Sequence, residues 1–314
     1  MIKIKEQKRT VKLIFGLALL FFIGWKVFST LHAEEKFPGD IAELSLHPQA
    51  RLLFVGAFVL MPINWLIESL KWHLLVKIIR PQPFLLSVSS VLAGISTSLL
   101  TPNRVGNFIG RTVSMEKELR TKAVIATIHS NIAQFLASVL FGFLGLMLVG
   151  FDQTLIGEGA LRFSAFFIFT FALIIYFFPK IIDVNPLSRM YSEQMKNGLN
   201  LIQKSTVRLK FTVLILSILR YTVFLVQFYL LLLAFGTFPN PLVLIPAIAL
   251  VYLVTTMIPS FLFGKLFVRE ATALFILGAF GVGTAVILAT VFILWILNLA
   301  LPALIGAIIL MRTK

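Results

Sequence analysis

Long apolar blocks separated by short polar stretches dominate this chain, and six of them are unbroken: Val11–Leu31, Leu52–Ile79, Ala123–Gly150, Phe163–Phe178, Phe211–Phe235 and Thr284–Met311. A bilayer core of ~30 Å takes about 20 helical residues, so each block predicts a membrane-crossing helix. Two further blocks are interrupted. Leu85–Arg111 contains Pro102 and then Gly106, and Leu242–Glu270 contains Pro259 and then Gly264. Five residues after each glycine stands an arginine, Arg111 and Arg269. Proline and glycine interrupt helices, and interrupted helices at membrane depth are tolerated where they face protein or a water-filled cavity. The pattern predicts a hairpin turn at each pair.

Charge placement orders these elements. Lys3, Lys5, Lys8, Arg9 and Lys12 put the N-terminus in the cytoplasm, while Glu34, Glu35, Asp40 and Glu43 put the next loop outside. Arg80 and Arg120 both read as inside, yet an apolar segment separates them. A re-entrant hairpin satisfies that parity: Phe84–Thr101 enters, the chain turns at Pro102, Asn103 and Arg104, and Val105–Leu119 returns. In the second half, basic residues from Lys180 to Lys210 read as inside, and the uncharged turn Gly236–Pro241 as outside. The second hairpin then enters from outside, and Arg312 with Lys314 places the C-terminus inside.

The expected fold is an all-α polytopic membrane protein with six full transmembrane helices plus two re-entrant helical hairpins in an inverted-topology repeat, as in secondary transporters. It forms one membrane domain over 1–314: an N-terminal span and outer loop (1–50), a first repeat (51–150), a linking span and basic cytoplasmic loop (151–210), and a second repeat (211–314). The Lys180–Lys210 stretch, with Pro186 and alternating polar and apolar residues, predicts a loop carrying an amphipathic helix.

Composition narrows the function. At 59% hydrophobic with 31 phenylalanines, the chain carries more apolar surface than a soluble fold covers. Its formal charge of +15 would point to nucleic acid in a soluble protein. Here the positive-inside rule accounts for it, and no nucleic-acid partner is expected. The absence of cysteine removes disulfides, thiolate metal sites and cysteine nucleophiles. The four histidines are scattered and no P-loop occurs, so neither a metal, a cofactor nor ATP is expected.

The segment IPSFLFGKLFVREATALFILGAFGVG (Ile258–Gly283), with NWLIESLKW (Asn64–Trp72) and LLTPNRVGNFIGR (Leu99–Arg111), resembles the lysylphosphatidylglycerol synthase transmembrane-region family, also called flippase-like. The resemblance runs from about Leu52 to Met311. It departs from the family in a thinned glycine-rich turn at Phe261–Lys265 and in Asn107, where an acidic residue is common. It implies a protein of the cytoplasmic membrane that moves polar lipids between leaflets, in a stand-alone form without the aminoacyl-transferase domain. A membrane lipid is then the substrate. A second copy or an envelope-lipid synthesis enzyme is the candidate partner.

Four basic residues near the hairpin turns, Arg104, Arg111, Lys265 and Arg269, are candidates for binding a lipid phosphate. A buried arginine costs ~2.5–3.5 kcal/mol on insertion scales and usually faces a cavity or a partner. Guanidinium binds phosphate bidentately, whereas the plainer reading is snorkelling or structural pairing, as of Arg269 with Glu270 or Glu68. Glu68 and Glu270 are the acidic residues expected at membrane depth. Glu68 shares a helix face with Asn64, Lys71 and Trp72, where it couples a proton, neutralises a hairpin arginine or pairs with Lys71. Asn131 and Gln134 either touch substrate or hydrogen-bond between helices, and Arg220 mirrors Lys71 in the second half. A membrane-embedded transferase is the rival reading. A non-catalytic partner of a lipid synthase is the third.

Overall fold

The computed structural model of the chain describes residues 48–99, 101, 105–149, 158–178, 193–237, 240–258 and 264–312. Among these residues every element is helical and no strand occurs. In chain order they are α1 (Pro48–Val76), α2 (Phe84–Leu99), α3 (Gly106–Thr112), α4 (Lys117–Leu148), α5 (Glu158–Phe177), α6 (Glu193–Gln203), α7 (Val207–Ala234), α8 (Pro241–Met257), α9 (Gly264–Ala279), α10 (Thr284–Trp295) and α11 (Leu301–Arg312). A π-helical turn, Ile296–Ala300, joins the last two.

Four helices are long and apolar enough to cross a membrane: α1, α4, α7 and the continuous run Thr284–Arg312. The chain is a membrane protein. The expected span at Phe163–Phe178 falls on α5, a helix of 20 residues whose apolar stretch, Phe166–Phe177, is shorter than those four. The expected N-terminal span, Val11–Leu31, lies outside the described residues. The broken blocks are shorter, with 16 residues in α2 and 17 in α8. At ~1.5 Å per residue they extend about 24–26 Å, less than a ~30 Å core.

Local chemistry accounts for the boundaries. Thr206 caps α7, its hydroxyl accepting the Leu209 N–H at 3.3 Å. Asn240 caps α8 with Pro241 at its first turn, where a missing N–H costs nothing. The returning arm α3 is shorter than expected. It ends at Thr112 rather than Leu119, because Glu116 takes an extended backbone (φ −58°, ψ 146°) and restarts the chain as α4 at Lys117. The π turn has a cause in Pro302, which cannot donate to the carbonyl four residues back, at Asn298. As expected, the basic linking stretch holds a short amphipathic helix. This is α6, which packs on α4 with Gly198 against Ile125.

Helix α1 packs most extensively on α7. Asn64 meets Arg220, Ala57 meets Gln227, Gly56 faces Leu230 and Phe54 meets Phe235. Numbers rise along one helix as they fall along the other, so the two run antiparallel. Pairing is then exchanged between halves. Helix α8 lies on α4, where Gly142 and Gly145 accept Leu253 and the Pro246 carbonyl, and α2 lies on α11, where Gly306 accepts the Leu92 carbonyl. Each hairpin's first arm is thus seated on the last long helix of the other half, at glycines that let backbones approach closely. Two large apolar clusters result, beside a small one at Phe235 and Ala289. One large cluster is centred on Phe228, Ile248, Leu277 and Trp295, the other on Trp72, Val91, Ala126 and Val213.

Candidate functional site

Glu68 sits in the last third of α1 and is 3% exposed, with Asn64, Lys71 and Trp72 buried on the same face. Three cations converge on its carboxylate. Arg111 of α3 donates from Nη2 to Oε1 at 2.5 Å, Lys71 reaches Oε2 at 3.2 Å, and Arg220 of α7 lies 3.1 Å from Oε2. The two pairing readings of Glu68 therefore hold together: it pairs with Lys71 and it neutralises a hairpin arginine. Breaking a buried pair by removing one partner leaves an uncompensated charge, at ~3–5 kcal/mol.

A carboxamide network extends the cluster. Gln134 Oε1 accepts from Lys71 and from Arg220, each at 3.3 Å, while its Nε2 donates to the Ser217 carbonyl. Asn64 Oδ1 accepts the Arg220 Nε–H at 2.7 Å, and its Nδ2 donates to Asn298 Oδ1 at 2.7 Å. Asn298 donates in turn to Gln227, which donates to the Ala57 carbonyl. The π turn carries Asn298, so the extra residue in that turn lies where polar chemistry enters the helix.

The first hairpin delivers Arg111 through close backbone packing. A Cβ at Gly106 would land on the Thr97 carbonyl, and one at Gly110 on Thr97 Oγ1 and the Ala93 carbonyl. A side chain at Gly94 would strike Arg111 Cγ and Asn107. The Thr97 hydroxyl donates across the turn to the Gly106 carbonyl at 2.5 Å, and Thr101 Oγ1 accepts the Gly106 N–H. Asn107 then holds Arg111 Nε at 2.9 Å, a hydrogen-bonding role that an uncharged side chain fills. The guanidinium lies over the Trp72 ring, 5.3 Å from its centroid. Arg111 Nη1 and Trp72 Nε1 are both buried without a hydrogen-bond partner.

The second hairpin places Arg269 differently. Its guanidinium lies 5.4 Å over the Tyr252 ring of α8, and its Nε is buried without a partner. Tyr252 packs against Phe224, over which Arg220 lies at 5.0 Å, so aromatic rings connect Arg269 to Arg220 of the Glu68 cluster. Glu270 is half-buried beside Arg269.

Of the candidates, the structure brings together Glu68, Arg111 and Gln134. It separates Asn131, which is exposed. Three residues turn a helix by about 300°, which leaves the two about 60° apart, so Asn131 falls at the edge of the face Gln134 presents to α7. Pro102, Asn103, Arg104 and Pro259 lie outside the described residues, as does the Lys265 side chain, while Gly264 opens α9. Sequence reading missed Gln227 and Asn298. A lone asparagine within Ile293–Leu301, four residues before Pro302, was the available signal.

A family model for the lysylphosphatidylglycerol synthase TM region matches residues 10–306. No curated protein and no solved structure matches the chain.

Proposed function

The chain belongs to the lysylphosphatidylglycerol synthase transmembrane-region family, and on that premise we propose that it carries an anionic phospholipid or lipid-linked intermediate between bilayer leaflets without ATP. The observation that supports this most is the buried cluster in which Lys71, Arg111 and Arg220 surround one carboxylate, Glu68. Charge held at membrane depth is costly and marks substrate paths. In this reading the headgroup phosphate exchanges onto the cluster cations while the tails stay in lipid. Arg269 of the second hairpin grips the phosphate on the other side of the aromatic bridge, with Arg104 and Lys265 near the turns.

The two halves act as an inverted-topology repeat with re-entrant hairpins. This reading draws on the antiparallel run of α1 against α7 and on the exchanged seating of α2 and α8. Alternate exposure of the hairpins gives access from either leaflet, and a gradient or the lipid's own imbalance supplies the direction. The protein sits in the cytoplasmic membrane with both termini inside. Cysteines placed at Glu118 and Asn200 of this cysteine-free chain react with impermeant maleimide only after permeabilisation. Labelling of intact cells at either position removes the orientation.

The deciding experiment is reconstitution. Proteoliposomes holding a tail-labelled anionic phospholipid should expose inner-leaflet label to external dithionite faster than protein-free vesicles, with no nucleotide present. Equal rates, or covalent conversion of the lipid by the purified chain, overturn the proposal.

A further inference from the structure

The charge count of the cluster deepens the transport reading, on which this inference rests, by specifying the headgroup. Among the described residues, the charges acting on Lys71 are those of Glu68, Arg220 and Arg111, and those acting on Arg220 are Glu68 and Arg111. Three cations face one carboxylate, an excess of two positive charges in a site that is nearly dry. Lys71 is 0% exposed and Arg111 3%, and only Arg220, at 19% for its side chain, opens towards the outside.

Hydrogen bonding gives the same answer independently. Glu68 spends both oxygens on the three cations, and the carboxamide oxygens of Asn64, Asn107 and Gln134 are each taken by one or more of them. Two donors are still without an acceptor, Arg111 Nη1 and the Trp72 Nε1 of the ring beneath it. A buried donor without an acceptor costs about 1–3 kcal/mol, so two such donors beside excess positive charge define the chemistry of an acceptor from outside the protein. It is anionic, it offers several oxygens, and it accepts a planar guanidinium edge and an indole N–H together.

We propose that the Glu68 cluster selects a lipid phosphate monoester, the dianionic headgroup, over phosphodiester lipids. A monoester has three terminal oxygens and a charge of about −1.5 to −2 at neutral pH, which matches the excess. A diester headgroup has one charge and two free oxygens, and leaves one cation uncompensated. Glu68 is the resident counter-ion that the headgroup displaces from Arg111 and Arg220.

The test uses the purified full-length protein in neutral detergent at fixed ionic strength. Binding is read by thermal shift and by thermophoresis with short-chain phosphatidic acid, short-chain phosphatidylglycerol and inorganic phosphate. Phosphatidic acid should bind about tenfold more tightly than phosphatidylglycerol, equal to about 1.4 kcal/mol. Inorganic phosphate should give no shift at the same concentration. Equal affinity for the two lipids overturns the monoester assignment, and an equal effect of inorganic phosphate overturns the lipid source. Arg220→Gln, at the open edge, removes one positive charge and should bring the ratio of the two lipids towards one. An unchanged ratio in that variant moves the site elsewhere and overturns the proposal. The wild-type ratio decides on its own if the variant does not fold. Monoester preference without leaflet transport of any anionic lipid defeats the transport reading alone. Transport of phosphatidylglycerol without that preference defeats only this inference.

Discussion

The two hairpins share one sequence pattern, a proline, a glycine four or five residues on and an arginine five further, yet they differ physically. In the first, α2 and α3 press backbone to backbone at Gly94, Gly106 and Gly110, and Arg111 is locked into an ion cluster. In the second, the return arm is a 16-residue helix whose arginine rests on an aromatic ring. The spacing sets where along each hairpin a basic side chain stands. What surrounds that side chain decides whether it is fixed or available. The first hairpin fixes its arginine through Asn107 and Glu68, whereas among the described residues the contact recorded for Arg269 is the Tyr252 ring.

Substitutions can break this contrast at several strengths. Glu68→Ala leaves three buried cations without their carboxylate and should cost ~3–5 kcal/mol, read as a large loss of monodisperse protein on size-exclusion chromatography. Gly110→Ala pushes a methyl into the Thr97 hydroxyl and the Ala93 carbonyl, which rigid backbone cannot yield. A cost of ~1–3 kcal/mol is expected, visible as a lowered melting temperature in detergent. Arg269→Ala removes a cation–aromatic contact of about 0.5–1 kcal/mol, so folded yield stays near that of the parent while leaflet exchange is lost. Arg269→Lys keeps the charge without the planar fork, and exchange at the parental rate would show that Arg269 acts as a generic charge. The smallest effect belongs to Gly278→Ala in the second hairpin, where nothing lies within 4 Å of the added methyl. Helix propensity favours alanine there by up to about 1 kcal/mol, so the melting temperature should hold or rise. A loss equal to that of Gly110→Ala would erase the distinction between the hairpins.

Much of this architecture was legible because the bilayer writes strong signals. Long apolar blocks located α1, α7 and Thr284–Arg312 to within a few residues and α4 except for its start, at Lys117 rather than Ala123. The pairing of Glu68 was legible only as alternatives, since helical spacing shows Lys71 as a neighbour but cannot bring α3 or α7 to it. Arg111 was legible only as one of four basic residues near the turns, and the seven-residue α3 is what carries it to Glu68. Asn298 was hidden for another reason: hydropathy averages over a window, and one carboxamide among leucines and isoleucines barely changes the mean.

The seating of α2 on α11 at Gly306 bears on how the protein is made. The ribosome releases the first hairpin long before the helix that cradles it exists. During that interval α2 has the Leu92 backbone and the serines of its inner face turned towards lipid or towards insertion machinery. Assembly therefore cannot proceed helix by helix from the N-terminus; it closes only when the last segment arrives. A truncation that removes α11 withdraws the support of a hairpin made at the opposite end of the chain.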